Sequence, residues 1–278
     1  MASEVLSVRN AAERDANIRF FEEDHKYTIL TDPGTRYTSV TTWAHSHFPH
    51  FNADAVIKKM MKSRNWNEEN KYWGMTPEQI KAQWSANGSS VSGAGTDLHL
   101  EIECFMNNTD LKFAYTHKDL YDNYMTTCGG DLCEKSVEWR YFINFIRDTP
   151  HLKPYRTEWT VYNEDVKIAG SIDMIYENDD GSLSIYDWKR AKNITRVNNF
   201  NEFAKTPQFC HMPNSNFWHY SVQLNTYKTI LEQKYGKTVR DLYLVRLHPD
   251  AEELNYELIQ LPNLGAEVRW LFDERRTS

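Results

Sequence analysis

Three stretches in the second half of the chain read as strands: YRTEWTVYN (155–163), VKIAGSIDMIY (166–176) and SLSIYDWKR (182–190). The last two are joined by ENDDG, whose composition marks a turn, so they should form a hairpin. A helical pattern follows from about Trp218 to Tyr235 and stops at Gly236. Two more strands (DLYLVRLH, 241–248, and LNYELIQL, 254–261) and an amphipathic helix (AEVRWLFDERR, 266–276) complete the chain.

The first half reads differently. From Arg19 to Thr42, FFEED and KYTIL alternate, TDPGT turns, and RYTSVT resumes a strand. Helical spacing takes over at Asn52–Ser63. Thr76-Pro77-Glu78-Gln79 is a capping box with Pro at the first helical position, opening a helix to about Asn87. Further helices are predicted near Thr96–Met106 and Val137–Arg147. The expected architecture is α/β (α+β): a central mixed β-sheet flanked by helices, with a helical N-terminal region. No repeat or linker divides the chain, so the simplest organisation is one domain over 1–278. Within it, 1–50 supplies N-terminal strands and a leader, 51–150 a helical region, and 151–278 the sheet core.

Composition changes this picture little. Apolar residues at 40% and charged residues at 26% give an ordinary folded balance and exclude a disordered chain. Net charge is -7, unlike a protein that binds nucleic acid by phosphate neutralisation over its whole surface. Basic residues do cluster, at Lys58, Lys59, Lys62 and Arg64 and again at Lys189, Arg190, Lys192 and Arg196. Cysteines at 104, 128, 133 and 210 include no CxxC pair, and free thiols are the expectation. The first twenty residues lack an apolar signal core, and no run approaches the ~18 apolar residues of a membrane span. A soluble intracellular protein with no membrane partner is expected.

The chemistry begins at Asp173, which interrupts an apolar strand, and at Asp187-Trp188-Lys189 fourteen residues on. Asp187 and Lys189 are two apart and share one strand face. The hairpin can bring Asp173 beside Asp187, and two carboxylates on one face repel unless a cation lies between them. Hard oxygen ligands suit Mg²⁺ or Mn²⁺. Upstream, Gly95-Thr-Asp-Leu-His99-Leu-Glu-Ile-Glu103 places His99 and Glu103 on one helix face, and Gln223-Leu-Asn-Thr-Tyr227 repeats that spacing later. Each motif alone is as well explained by a solvated or core face.

In this order the four motifs resemble the RecB-like branch of the PD-(D/E)XK nucleases: G-x-x-x-H-x-x-x-E, G-x-x-D with Gly170 and Asp173, D-x-K, and Q-L-x-x-Y. Tyr37-Thr-Ser-Val-Thr-Thr42 is similar to a segment of exonuclease-like members, including the mitochondrial single-strand exonuclease group, and Glu158 matches an acidic position common in these proteins. The resemblance spans residues 37–231. It implies a restriction-endonuclease-like core and phosphodiester hydrolysis by a metal-activated water. Metal ligands would be His99, Asp173 and Asp187, with a backbone carbonyl near Trp188, and Lys189 would be the catalytic lysine. Glu103 and Glu158 would be accessory, and Gln223, Tyr227 and Arg190 would contact the substrate. The cofactor would be Mg²⁺ or Mn²⁺. The four-cysteine iron–sulfur cluster of some members is not expected, because no Cys precedes His99 and none follows Cys210.

The substrate implied is DNA, single-stranded or at duplex ends. Trp66, Tyr72, Trp73 and Trp84 lie among Lys58, Lys59, Lys62, Arg64 and Lys71, a composition suited to an arch gripping single strands or to core packing. Three functions stay open at this point: an exonuclease or end-processing enzyme in recombination, repair or genome maintenance; an endonuclease on the same core; and a silent DNA-binding or assembly protein. The sequence says nothing of oligomeric state.

Overall fold

A computed structural model describes residues 5–111, 114–128 and 135–277, without the side chains of 89–91. Cys133 lies outside the described residues. Short helix α1 (Val5–Arg9) precedes a hairpin of β1 (Ile18–Phe21) and β2 (Lys26–Ile29). Then come β3 (Thr38–Ser39), α2 (Val40–Ser46), α3 (Ala53–Met61), α4 (Pro77–Met106), α5 (His117–Cys128) and α6 (Val137–Asp148). Strands β4 (Lys153–Asn163), β5 (Ile168–Glu177) and β6 (Leu183–Lys189) follow, then α7 (Asn216–Lys234), β7 (Val239–Arg246), β8 (Glu257–Gln260) and α8 (Gly265–Thr277). The chain divides within α4 into two compact units, one of Met1–Pro49 with Leu98–Ser278 and one of His50–Asp97.

The larger unit is the expected mixed sheet between helices. The sheet runs β3-β5-β6-β7-β8, with β4 beside β5. β3 is parallel to β5 and β7 to β6, and the remaining pairs are antiparallel. On one face Ile172, Ile185 and Leu244 pack with Leu224 and Ile230 of α7 and Phe272 of α8. On the other, Met174, Tyr186 and Trp188 meet Ile102 of α4 and Phe142 and Phe145 of α6.

α6 buries its stripe because its apolar residues recur at helical spacing, and Ser136 caps it by accepting from the Trp139 N–H. α7 is buried almost all round, so its polar groups bond internally. Ser221, Thr226 and Thr229 each donate back one turn, and Asn225 ties the helix to Pro262 O and Leu264 N ahead of α8.

Two elements depart from the sequence pattern. β3 ends at Ser39, which caps α2 by accepting from the Thr42 N–H, so V-T-T is helical and not strand. The β-branched run favoured a strand, but the cap decided the local outcome. The helices expected at 76–87 and 96–106 are one, α4; its capping box is present, Thr76 and Gln79 bonding each other's backbone N–H. Gly88, Gly93 and Gly95 each weaken a helix by about 1 kcal/mol without breaking its hydrogen-bond ladder.

The smaller unit, His50–Asp97, has Ile57 and Ile80 as buried residues. Around them Trp66 contacts Trp73 (5.7 Å between centroids), and Trp84 contacts Phe51 and Tyr72 (5.9 Å each). Trp73 stays 46% exposed and Phe51 73%. No helix among the described residues is long and apolar enough to cross a membrane.

Candidate active site

The sheet opens at β5. One edge of that strand faces β4, with pairs running from Asn163–Ile168 to Lys153–Glu177. The other edge is shared by β3 at Ile168 and Ala169 and by β6 from Met174 onward. Gly170 to Asp173 therefore have no ladder partner on that side. Asp173 lies one step beyond the Met174–Tyr186 pair, opposite Asp187. Its Oδ2 accepts from the Trp188 N–H at 3.1 Å, taking the bond a strand partner would have made.

The β4 side is interrupted at the same level. Thr157 pairs with Met174 and Trp159 with Ile172, leaving Glu158 opposite Asp173 with φ 42°, in the left-handed region. Such a conformation costs a non-glycine residue about 1–3 kcal/mol and concentrates at functional sites. It also breaks the alternation of β5. Ile172 packs under α7 and Met174 under α6, although two-residue spacing would put both on one face. Asp173 sits at the switch.

His99, on α4, reaches this break from the helical layer. Its Nδ1 is 3.6 Å from Asp173 Oδ2 and 3.9 Å from Glu158 Oε1. Its Nε2 is 3.1 Å from the Trp188 carbonyl oxygen and donates to it, which turns Nδ1 toward the carboxylates. Ser171 Oγ donates to Glu158 Oε2 at 3.0 Å. Ligand atoms of His99, Glu158 and Asp173 all lie within 4.8 Å of one another. Asp187, 3% exposed at its side chain, is ion-paired with Lys189, whose Nζ stands 4.7 Å over the Tyr220 ring.

The sequence profile of the PD-(D/E)XK nuclease superfamily matches residues 109–272, more than half of the chain. The chain belongs to the PD-(D/E)XK nuclease superfamily. No curated protein sequence matches it. The matched span contains Glu158, Asp173, Asp187 and Lys189 and begins after His99. Nucleases of this superfamily generally use divalent metals such as Mg²⁺ or Mn²⁺, and the donors at this nuclease's strand break fit such an ion. One imidazole nitrogen and hard carboxylate oxygens converge there.

The electrostatics of this nuclease point the same way. Burial raises the Asp173 carboxyl, only partly offset by the charge of His99. Burial and the neighbouring Asp173 push Asp187 up to about 6 against the pull of Lys189. Burial should pull the His99 imidazole down, but Asp173 and Glu158 outweigh it and hold it up at about 9. Lys189 is likewise drawn down by burial and raised further by Asp187 and Asp173, so it stays a cation. Carboxylates crowded past what one imidazolium and one ammonium neutralise form a site that demands positive charge.

The remaining predicted residues lie around this centre. Tyr227, 4% exposed, fills the space over Gly170, where an added Cβ would meet Tyr227 Cε1 at 2.8 Å and Val40 Cγ2 at 2.9 Å. Gln223 is buried one turn before Tyr227 on α7. Arg190 is held by Glu138, with Nε 2.7 Å from Oε1. Glu103 is half-buried one turn beyond His99 and is not in the convergent set. Sequence reasoning passed over Tyr220, although it lies one helical turn before Gln223.

Proposed function

We propose that this nuclease is a metal-dependent deoxyribonuclease of the exonuclease or end-processing kind, with its centre at the break between β5 and β6. The observation that carries the reading is the meeting of His99, Glu158 and Asp173 beside the Asp187–Lys189 pair. His99, Asp173 and Asp187 would hold the ion, joined by Glu158. A divalent cation bound there would supply Lewis acidity and an activated water.

The chain's own groups do the rest. Lys189, kept protonated between Asp187 and Tyr220, donates to the phosphoryl oxygen where charge develops. Trp188 fixes both neighbours, its N–H on Asp173 and its carbonyl on His99. Glu103 is accessory, and Gln223, Tyr227 and Arg190 line the substrate side. Attack of water forms one P–O bond and breaks another; the water gives up a proton, and the leaving alkoxide takes one up to depart as an alcohol.

Preference for ends rests on the ordered set of RecB-like motifs and on the aromatic, lysine-bearing unit His50–Asp97. Trp66, Tyr72, Trp73 and Trp84 there suit stacking on unpaired bases. Recombination, repair or genome maintenance is the corresponding role.

The test is degradation of end-labelled linear and circular DNA, single- and double-stranded, with Mg²⁺ or Mn²⁺. Wild type is run beside folded Asp187→Ala and Lys189→Ala. Loss of linear DNA alone, stopped by chelator and by either substitution, is expected. Cutting of circles identifies an endonuclease, and intact DNA throughout identifies a binding or assembly role.

A further inference from the structure

A second polar feature lies on the larger unit, at the opposite end of the unpaired stretch of β5. A groove of about 520 Å³ runs between the β1–β2 hairpin and the segment from Gly34 to Thr42. Its lining includes Lys26, Arg36 and the hydroxyls of Thr28, Ser39 and Thr42. Among the described residues neither Lys26 nor Arg36 has a carboxylate partner, and both side chains are exposed. The carboxylate of the lining is Asp24. Asp32, the nearest acid in sequence to Arg36, is occupied by Thr35, Tyr37 and Lys167.

The hydroxyls add donors. Thr42 Oγ1 accepts from Ser39 at 2.8 Å, and its own proton has no acceptor among the described residues. Two unneutralised cations beside hydroxyl donors, in a concave surface with few apolar side chains, make a site for phosphate oxygens.

Position gives the site its meaning. Ser39 pairs with Ala169, and β5 then runs Gly170, Ser171, Ile172 to Asp173. At ~3.3 Å per residue, the groove's edge is about 13 Å from the carboxylates along the strand.

We propose that this groove binds backbone phosphates of the nucleic-acid strand a few nucleotides from the scissile bond, through Lys26 and Arg36. The proposal rests on the nuclease reading above and names where its substrate strand is held. Phosphate contacts of this kind fix register without reading bases.

The experiment is fluorescence titration of labelled oligothymidylate in EDTA across a salt series. Wild type is compared with K26Q/R36Q and with the charge-retaining K26R/R36K, after thermal melting confirms that each is folded. Two lost phosphate contacts on a single strand should flatten the slope of log K against log salt by ~1.4 and weaken binding about tenfold at moderate salt. K26R/R36K should keep the wild-type slope. If wild type with metal degrades linear DNA alone while K26Q/R36Q keeps its affinity and slope, the groove is overturned and the exonuclease reading stands. If wild type degrades nothing but K26Q/R36Q loses affinity and slope, the groove stands and the exonuclease reading falls.

Discussion

Two histidines of the larger unit occupy regions that treat the imidazole in opposite ways. His117, at the start of α5, is fully buried between Thr149 Oγ1 at 2.8 Å and the Tyr176 hydroxyl at 2.9 Å, with Phe145 edge-on. Burial with uncharged partners drops it to about 3, so it is neutral. His99 is also drawn down by burial, yet Asp173 and Glu158 hold it at about 9. Packing decides the first site and charge the second. The α5 region is built to exclude a proton, and the break in the sheet is built to attract a cation.

The largest effect should come from removing the charge that separates them. Asp173→Asn keeps the shape and an acceptor for the Trp188 N–H but removes a carboxylate from the convergent set. DNA cleavage should fall at least ~10³-fold, about 4 kcal/mol of transition-state stabilisation. The melting temperature should not fall, because an unfavourably buried charge goes with it. A variant that loses stability and keeps cleavage would make Asp173 a structural group and dissolve the contrast with His117.

The His117 region makes a prediction of opposite kind, on stability and not on turnover. Its folded value, about 3, lies below the ordinary imidazole value of ~6.5. The unfolded chain therefore takes up the proton first as pH falls. The contribution is complete above pH ~6.5 and is lost progressively down to about 3. By pH 4 the loss should be roughly 3 kcal/mol in urea unfolding. His117→Gln should show a shallower acid limb while cleaving DNA normally at neutral pH. An unchanged limb would mean that acid unfolding begins elsewhere.

The contrast also marks what the sequence could show. Strand patterning made β4, β5 and β6 legible, but Asp173, Asp187 and Lys189 within them gained weight as a centre only in order with the His99 and Gln223 motifs. Alternation assumes a uniform strand, so it could not show that Glu158 turns left-handed or that β5 changes face between Ile172 and Met174. Gly170 read as part of a motif; the structure gives the reason as room for Tyr227, since an added Cβ would meet its hydroxyl at 2.9 Å. The two helices expected to about Asn87 and from Thr96 are one, because helical hydrogen bonding continues through the glycines between them. No local pattern distinguishes His117, because its neutrality comes from burial, against Phe145 and Tyr176, which are distant in sequence.

The smallest effect belongs to Tyr220 and sharpens the same distinction. Around His117, aromatic rings stand nearly perpendicular to a neutral imidazole, whereas Tyr220 presents its face to the Lys189 ammonium at 4.7 Å. The negative face of a ring attracts a cation by ~0.5–2 kcal/mol, more where water is excluded. It should therefore hold Lys189 aimed at the scissile phosphate without touching substrate. Tyr220→Leu should lower kcat about tenfold and leave KM within about twofold, since only the positioning of the ammonium is lost. Tyr220→Phe keeps the ring face and should stay within about twofold of wild type. Equal losses in both variants would assign the effect to the hydroxyl, and a rise in KM alone would assign Tyr220 to substrate binding.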